Sequence, residues 1–287
     1  MKLQHPNAFV YIPSGEGIDL ALSRTTHLSI GAHPDDLEFM SFHGISACYE
    51  KSDAFFTGIV VTDGAGSVKS GPCAGMSAKE LIEIRAQEQK KAAAIGKFNA
   101  LIMLQYESSD LKSTLPIDQR SWIQDLQSLF ALCRPKTVYS HNPFDKHPTH
   151  LAVILPLIQF LQSLPPSQKP ERLYGCEVWR GLDWVLEADR ISLPLKEHEA
   201  LSEALNRIFV SQIDAGKNYA EAIRGRRIAN ATFTNPHSTD PAPQMELALD
   251  LTLLMHQSPD QLLPYFQSML HRFESELLGN IQEHLGE

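Results

Sequence analysis

The chain has 287 residues and a formal net charge of -9, and its hydrophobic and charged fractions of 43% and 21% are ordinary for a globular protein. Because nucleic acids and anionic membrane surfaces select clusters of Lys and Arg, this charge argues against both as partners. No stretch approaches the ~18 apolar residues of a membrane span, and residues 1–13 lack a secretory signal, so we expect a cytoplasmic protein without a membrane span.

Strands and helices alternate along the chain, which predicts an α/β fold with a Rossmann-like three-layer α/β/α arrangement and a mainly parallel sheet. Strands are predicted at residues 27–32, 55–62, 99–105, 136–140, 172–179 and, from an ambiguous segment, 245–254. Helices are predicted at residues 34–50, 78–95, 122–133, 148–164, 196–210, 213–230 and 261–285. Residues 1–26 and the glycine-rich segment 63–75 are expected to be irregular, and the second of these leaves a strand end, where it would border a site.

Several helix ends carry local signals. A capping-box pattern from Ser77 to Glu80 begins one helix. Pro34 and Pro148 are each predicted at the first position of a helix, where proline is tolerated. Pro156 falls inside a predicted helix, so we expect a kink or an early break there.

Two short polar stretches stand at strand-to-helix junctions far apart in the chain. Residues 32–38 read Ala-His-Pro-Asp-Asp-Leu-Glu, and residues 141–150 read His-Asn-Pro-Phe-Asp-Lys-His-Pro-Thr-His. In each, the His of a His-Pro pair lies three positions before an Asp or a His, which places both side chains on one side of a first helical turn. Ligands of open α/β sheets bind outside the carboxyl ends of the strands, where both stretches are expected. Two such turns facing each other could hold a metal ion.

The two motifs together resemble the PIG-L/LmbE-like deacetylases, zinc-dependent enzymes that remove acetyl from N-acetylglucosaminyl compounds. Residues 85–96, which begin Arg-Ala-Gln-Glu, resemble the Arg-x-x-Glu helix of that family. The resemblance spans residues 27 to about 160, with a weaker likeness at 177–184. It implies a single deacetylase domain over 1–287, in which residues 1–170 form the catalytic core and residues 171–287 complete it.

The resemblance also implies roles for individual side chains. His33, Asp36 and His150 match the zinc ligands of the family, although another divalent cation is also compatible. Asp35 matches the base that takes a proton from the attacking water, and His147 matches a histidine that assists the oxyanion and passes a proton to the amine. Hydrolysis of an amide needs an activated water, an oxyanion stabiliser and a proton for the leaving amine. A zinc ion with three protein ligands and an open position supplies the first two.

Position 149 departs from the family pattern. Family members often read His-Pro-Asp-His, in which the aspartate steadies the active histidine, whereas this chain has Thr149. We predict that Asp145, two residues before His147, takes over that task as a third catalytic residue.

Three more residues are predicted to contact substrate. Arg85 lies on the apolar face of its helix and matches a substrate-contacting arginine of the family, whereas a structural interpretation pairs the buried guanidinium with Glu88. Asp63 either forms a turn or contacts a sugar. His141 either lines the pocket or supports the metal ligands from behind.

The sequence therefore predicts a zinc-dependent hydrolase that removes acetyl from an N-acetylglucosamine-type sugar or glycoconjugate, with a homo-oligomer left open. A catalytically silent metal-binding protein and a deacylase of a non-sugar amide are the alternatives. Gly71-Pro-Cys-Ala-Gly75 resembles a cysteine nucleophile elbow but follows no predicted strand, and no Gly-x-Gly-x-x-Gly supports nucleotide binding. The four cysteines form no Cys-x-x-Cys pair and are predicted to be reduced thiols.

Overall fold

The computed structural model describes residues 1–66, 71–113, 115–213 and 216–286. Within these residues, eight strands form one sheet with helices packed around it. Strands β1 to β8 are Phe9–Tyr11, His27–Gly31, Phe56–Thr62, Ala100–Tyr106, Thr137–His141, Arg172–Cys176, Arg190–Leu195 and Gln244–Asp250. Helices α1 to α11 are Ile18–Ser23, Asp36–Met40, Phe42–Cys48, Ala78–Ile95, Ser108–Leu111, Ser121–Leu132, Pro148–Ser163, Glu199–Asn206, Val210–Ile213, Tyr219–Phe233 and Leu262–Leu285.

The sheet is mixed, with the strand order β1-β4-β3-β2-β5-β6-β8-β7. Its five central strands, from β4 to β6, pair in parallel, and β1, β8 and β7 add antiparallel pairings at the two sides. The prediction of a mainly parallel sheet is therefore confirmed only for these five central strands. The two edge strands were not predicted from sequence: β1 has only three half-buried residues, and β7 contains Pro194, which is tolerated in a strand at a sheet edge.

The central strands are buried on both faces, which explains their nearly continuous hydrophobic sequence. In β3, Ile59 and Val61 belong to one hydrophobic cluster and Val60 belongs to another, because successive side chains point to opposite faces. Side chains of α6 and α7 contribute to the first cluster, and side chains of α2, α3, α4 and α8 contribute to the second.

The first predicted helix is interrupted. It was expected to run from Pro34 to residue 50, but α2 ends at Met40 and α3 begins at Phe42. Between them, Ser41 leaves the helical conformation with φ of -132° and donates its hydroxyl hydrogen to the carbonyl of Leu37 at 2.6 Å. Pro34 also lies outside α2, which begins at residue 36, so the proline is not at its first position.

The second motif follows the prediction more closely. Pro148 is the first residue of α7, as expected, but the helix continues through Pro156 to Ser163, so the early break does not occur. In the C-terminal region, two helices were predicted between residues 196 and 230, whereas the structure has three there, α8, α9 and α10. The ambiguous segment 245–254 contains a strand, β8, as predicted.

Parts of two predictions lie outside the described residues. The predicted loop 63–75 includes residues 67–70, and the predicted helix 213–230 includes residues 214–215, none of which the structure describes. Among the residues that it does describe, no helix is long and apolar enough to cross a membrane.

The sheet topology brings the two polar motifs together. Strands β2 and β5 are parallel neighbours, with His27 opposite Thr137 and Ile30 opposite Ser140. Both strands therefore end at the same edge of the sheet, and each leads directly into one motif.

Candidate metal centre

The turn after β2 packs tightly against its own strand. A Cβ atom added to Gly31 would lie 2.9 Å from Cβ of Asp36, closer than such atoms approach in proteins, so a residue with a side chain could not stand here without displacing the motif. Asp35, between them, has φ of 96°, a left-handed conformation that is costly for a residue other than glycine. The strained turn points the two carboxylates into the site.

The three side chains predicted as metal ligands converge on one point. Nδ1 of His33 lies 3.2 Å from Oδ2 of Asp36 and 3.3 Å from Nε2 of His150, and the last two atoms are 3.5 Å apart. Zinc binds such nitrogen and oxygen atoms at about 2.0–2.1 Å, and the edges of a tetrahedron of that size are about 3.3–3.4 Å long. The donor atoms therefore already have the spacing of three corners of a zinc coordination shell.

The proton on His150 is placed so that its metal-facing nitrogen is free. Nδ1 of His150 lies 3.1 Å from Oδ2 of Asp145 and donates a hydrogen bond to it, which leaves the lone pair of Nε2 directed at the cluster. Burial would raise the pKa of Asp145, but the hydrogen bond from His150 and the nearby imidazoles lower it, so the acceptor is ionised. Such a carboxylate–histidine pair is the usual way in which a metal-binding imidazole is oriented.

This contact differs from the one predicted for Asp145. Its carboxylate was expected to hold the ring of His147, but its contact with that residue is to the backbone: Oδ1 accepts the His147 N–H at 3.0 Å. Position 145 therefore supports the predicted metal ligand His150.

His141 lies beneath the cluster. Its Nε2 is 3.4 Å from Oδ2 of Asp36, but it already accepts a hydrogen bond from the backbone N–H of Ala32 at 2.9 Å, which occupies the lone pair that a metal would need. Its ring stacks on that of His150 with centroids 3.8 Å apart, and the residue is completely buried. Because His141 is completely buried, the geometry favours the alternative in which it supports the ligands from behind over contact with substrate.

The two neighbouring aspartates have opposite electrostatic properties. Burial disfavours charge at both, but the imidazoles of His150, His141 and His33 lower the pKa of Asp36 far below its usual range. The pKa of Asp35 is raised well above its usual range, by burial first and by the carboxylate of Asp36 second. Asp36 is thus suited to be an anionic ligand, and Asp35 has the higher proton affinity of a base.

His147 faces the same point without a hydrogen bond to its ring in the described part of the chain. One of its ring nitrogens lies within 4.8 Å of ring nitrogens of His33 and His150. Burial and the two neighbouring imidazoles lower the pKa of His147 to about 4, which keeps its ring neutral.

A cavity of about 470 Å³ opens over the cluster. Five of the predicted site residues line it, namely His33, Asp35, Asp36, Arg85 and His147. The rest of its wall includes residues from beyond position 171, so both sequence regions build the cavity.

Arg85 and Asp63 have different surroundings. Arg85 is almost completely buried at the cavity wall, where its Nε donates to the hydroxyl of Ser211 at 3.4 Å and its Nη1 donates to the carbonyl of Gly64. The carboxylate of Asp63 accepts the N–H of Ala65 at 2.9 Å, which closes a turn, and Asp63 is not among the residues that line the cavity. The geometry therefore favours the interpretation in which Asp63 forms a turn over the one in which it contacts a sugar.

Three further residues line the cavity, of which Trp179 alone lies in a segment, 177–184, with a weak likeness to the family. Trp179 is 37% exposed beside His147, and Tyr219 lies near the two aspartates, whose negative charges help burial to raise its pKa. Gln212 donates from its amide to the carbonyl of Pro34 at 2.7 Å and so ties the C-terminal region to the first motif. No local pattern marks Tyr219 or Gln212, because each reaches the site through a contact that is distant in sequence.

These features define an α/β protein with a histidine- and aspartate-rich cluster at the ends of two parallel strands. A model of the PIG-L family, described as GlcNAc-PI de-N-acetylase, matches residues 28–159, which include both motifs. The resemblance to this family that was predicted from sequence is therefore confirmed over that segment. Among curated proteins, none matches the chain.

Solved structures share the fold at low sequence identity. The conserved protein TT1542 from Thermus thermophilus is 18% identical with a TM-score of 0.58, over 79% of this chain and 94% of that one. The N,N'-diacetylchitobiose deacetylase from Pyrococcus horikoshii is 16% identical with a TM-score of 0.58, over 82% and 87%. The 4-carboxy-2-hydroxymuconate hydratase GalB from Pseudomonas putida is 14% identical with a TM-score of 0.54, over 79% and 96%. Since a hydratase shares this fold, the reaction has to be argued from the site.

Proposed function

We propose that the chain is a metal-dependent N-deacetylase that removes acetyl from an N-acetylglucosamine-type sugar or a related amide, with zinc as the metal. The observation that carries the proposal is the convergence of His33, Asp36 and His150 at 3.2 to 3.5 Å, with Nε2 of His150 left free by its hydrogen bond to Asp145. Two imidazoles and one carboxylate are a ligand set that catalytic zinc uses.

The other residues of the site divide the proton transfers of amide hydrolysis between them. His33, Asp36 and His150 would hold the zinc ion, which would supply Lewis acidity to polarise the amide carbonyl and to lower the pKa of water to about 7. Asp35, with its raised pKa at the cavity wall, takes a proton from the water that attacks the carbonyl carbon. His147 donates a hydrogen bond to the carbonyl oxygen as negative charge develops on it. Breaking the C–N bond then releases acetate and the free amine, and the proton that Asp35 took from water passes through His147 to the amine.

The cavity has the size and lining of a small-molecule site. Its volume of about 470 Å³ lies within the usual range for ligand pockets, about 300–1,000 Å³, and is sufficient for a sugar ring. Arg85, at the wall beside Asp35, is proposed to bind substrate. The chitobiose deacetylase among the structural relatives and the GlcNAc-PI description of the family model support an N-acetylglucosamine-type substrate.

A screen for acetate release across N-acetylated sugars, with metal content determined on the same sample, tests the proposal. We expect one bound zinc ion per chain and release of acetate with at least one N-acetylglucosamine derivative. Replacing Asp35 by Asn should lower kcat by about 10²- to 10⁴-fold while the zinc content is unchanged. Asp53→Asn, at an exposed position away from the cavity, is the matched control and should retain full activity.

The outcomes separate the proposal from its alternatives. Stoichiometric zinc without acetate release from any sugar would favour a catalytically silent metal-binding protein. Release of an acyl group other than acetate, or of acetate from a non-sugar amide alone, would be consistent with a metal-dependent amide hydrolase but would refute the assignment of an N-acetylated sugar as substrate. Undiminished turnover by Asp35→Asn would refute the role of Asp35.

A further inference from the structure

The ring of His147 lacks the hydrogen bond that usually orients a catalytic histidine. Its Nδ1 is buried and has no hydrogen-bond partner among the described residues, and the hydroxyl of Thr149 has none there either. The nearby carboxylate of Asp145 is already engaged, with one oxygen on the backbone of His147 and the other on the ring of His150. Some other contact must therefore define the orientation of the His147 ring.

Ring packing supplies that contact. The indole of Trp179 lies nearly parallel to the imidazole of His147, with centroids 6.0 Å apart and an interplanar angle of 26°. This separation is within the range of offset aromatic stacking, about 4.5–7 Å. The rings of His33, at 4.9 Å and edge-on, and of His150, at 4.6 Å, also contact His147. Those two rings belong to the predicted metal ligands, so among the described residues Trp179 is the aromatic contact that comes from outside the ligand set.

Trp179 is itself held in place by three contacts. Its backbone N–H donates to Oδ2 of Asp145 at 3.1 Å, the oxygen that also accepts the proton of His150. The ring of Tyr219 meets the indole at 85° with centroids 6.1 Å apart, and the ammonium of Lys217 lies 5.7 Å from the indole centroid. A side chain held in this way can restrict the rotation of the imidazole that packs against it.

We propose that Trp179 is a positioning residue for His147, and that stacking on the indole replaces the carboxylate contact that Thr149 cannot make. The same segment serves both histidines, because the backbone of Trp179 reinforces Asp145 behind His150 while its indole faces His147. The catalytic consequence rests on the proposed function, whereas the control of ring orientation does not.

Kinetics of position-179 variants test the catalytic part. Trp179→Ala should lower kcat by about 10- to 100-fold, because small displacements of a reacting group cost this much, while KM changes by less than about threefold and bound zinc is retained. Trp179→Phe keeps a flat ring and should retain most of kcat. Trp184→Ala is the matched control, since its indole packs on Phe144 and Phe273 and does not line the cavity. An unchanged kcat in Trp179→Ala, or a loss confined to KM, would overturn the proposal.

A spectroscopic measurement tests the ring orientation without any substrate. In metal-free protein, the three-bond couplings about χ1 of His147, assigned by comparison with His147→Gln, should report one dominant rotamer. Trp179→Ala should shift them towards rotamer-averaged values, and Trp184→Ala should leave them in place. If Trp179→Ala leaves the His147 couplings unchanged, the positioning role is refuted, whereas absence of deacetylase activity with this shift present would refute the proposed function alone.

Discussion

The carboxylate of Asp145 and the imidazole of His150 form a buried hydrogen bond of 3.1 Å, and neither side chain is exposed to solvent. The bond fixes the proton of His150 on Nδ1 and directs Nε2 at Asp36 and His33. Since a metal binds the unprotonated nitrogen, this pair determines whether the third predicted ligand is available.

Replacing Asp145 by Asn should weaken metal binding. Because the amide of Asn can present either its N–H₂ or its oxygen to the ring of His150, the tautomer with a free Nε2 is no longer enforced. Loss of such supporting contacts typically costs about 10- to 100-fold in metal affinity. Competition titration with a zinc chelator measures the change. Asp53→Asn removes a carboxylate at an exposed position and should leave the affinity unaltered; equal affinities for wild type and Asp145→Asn would contradict the assigned role.

A buried ion pair between Arg227 and Glu246 joins the C-terminal region to the first motif. Arg227 donates to Glu246 at 2.6 Å and to the carbonyl of Glu38 at 2.9 Å, at the end of α2. Glu246 accepts the backbone N–H of Phe42 at 3.1 Å and that of His43 at 3.0 Å, at the start of α3. The pair thus satisfies the backbone groups that the break between the two helices leaves without helical partners.

Glu246→Gln should lower the free energy of unfolding by about 3–5 kcal/mol, because it leaves the guanidinium of Arg227 buried without its counterion. Urea denaturation monitored by circular dichroism measures the loss. The exposed pair Arg207–Glu221 has the same 2.6 Å separation and provides the control, so Glu221→Gln should cost about 1 kcal/mol or less. Similar losses in the two variants would show that burial is not what makes the first pair important.

The convergence of His33, Asp36 and His150 could be predicted because the sequence signal for each turn is local. His33 with Asp36, and His147 with His150, stand three apart immediately after strands, and parallel pairing of β2 with β5 then brings the two turns together. The break at Ser41 could not be predicted in the same way, since it depends on Arg227 and Glu246, about 200 residues away.

The support of the site was harder to predict than its ligands. The spacing of Asp145 allows contact with His147 or with His150, and only the path of the backbone into α7 decides between them. Trp179 and Tyr219 reach the cavity through tertiary packing of the C-terminal region, which the weak family likeness at 177–184 does not specify. Sequence thus predicted which groups converge at the cluster, but not which ring Asp145 would orient.

His27 should make the stability of the protein depend on pH. Burial first, and the charges of His43 and Lys136 second, lower its pKa to about 4, against about 6.5 in an unfolded chain. The unfolded state therefore binds more protons in this interval, so the contribution of His27 is complete above pH 6.5 and is lost as the pH falls towards 4. Its size is on the order of 3 kcal/mol.

Chemical denaturation of wild type and His27→Gln between pH 4 and pH 8 measures this contribution. Glutamine does not titrate, so the free energy of unfolding of the variant should fall less steeply between pH 6.5 and pH 4. His271→Gln alters an exposed histidine and should reproduce the wild-type slope. Parallel curves for wild type and His27→Gln would mean that His27 is not protonated differently in the two states.

Zinc should stabilise the folded chain, because the three ligands are close together only in that state. At a free zinc concentration 100 times the dissociation constant, binding contributes about 2.7 kcal/mol, which for a chain of this size raises Tm by about 5–10 °C. Differential scanning calorimetry of the chelator-treated protein, before and after addition of zinc, measures the shift. His150→Ala removes one donor and should abolish most of the shift, whereas His271→Ala, at an exposed position outside the cluster, should retain all of it. A shift that persists undiminished in His150→Ala would place the stabilising zinc elsewhere and would exclude His33, Asp36 and His150 as its ligand set.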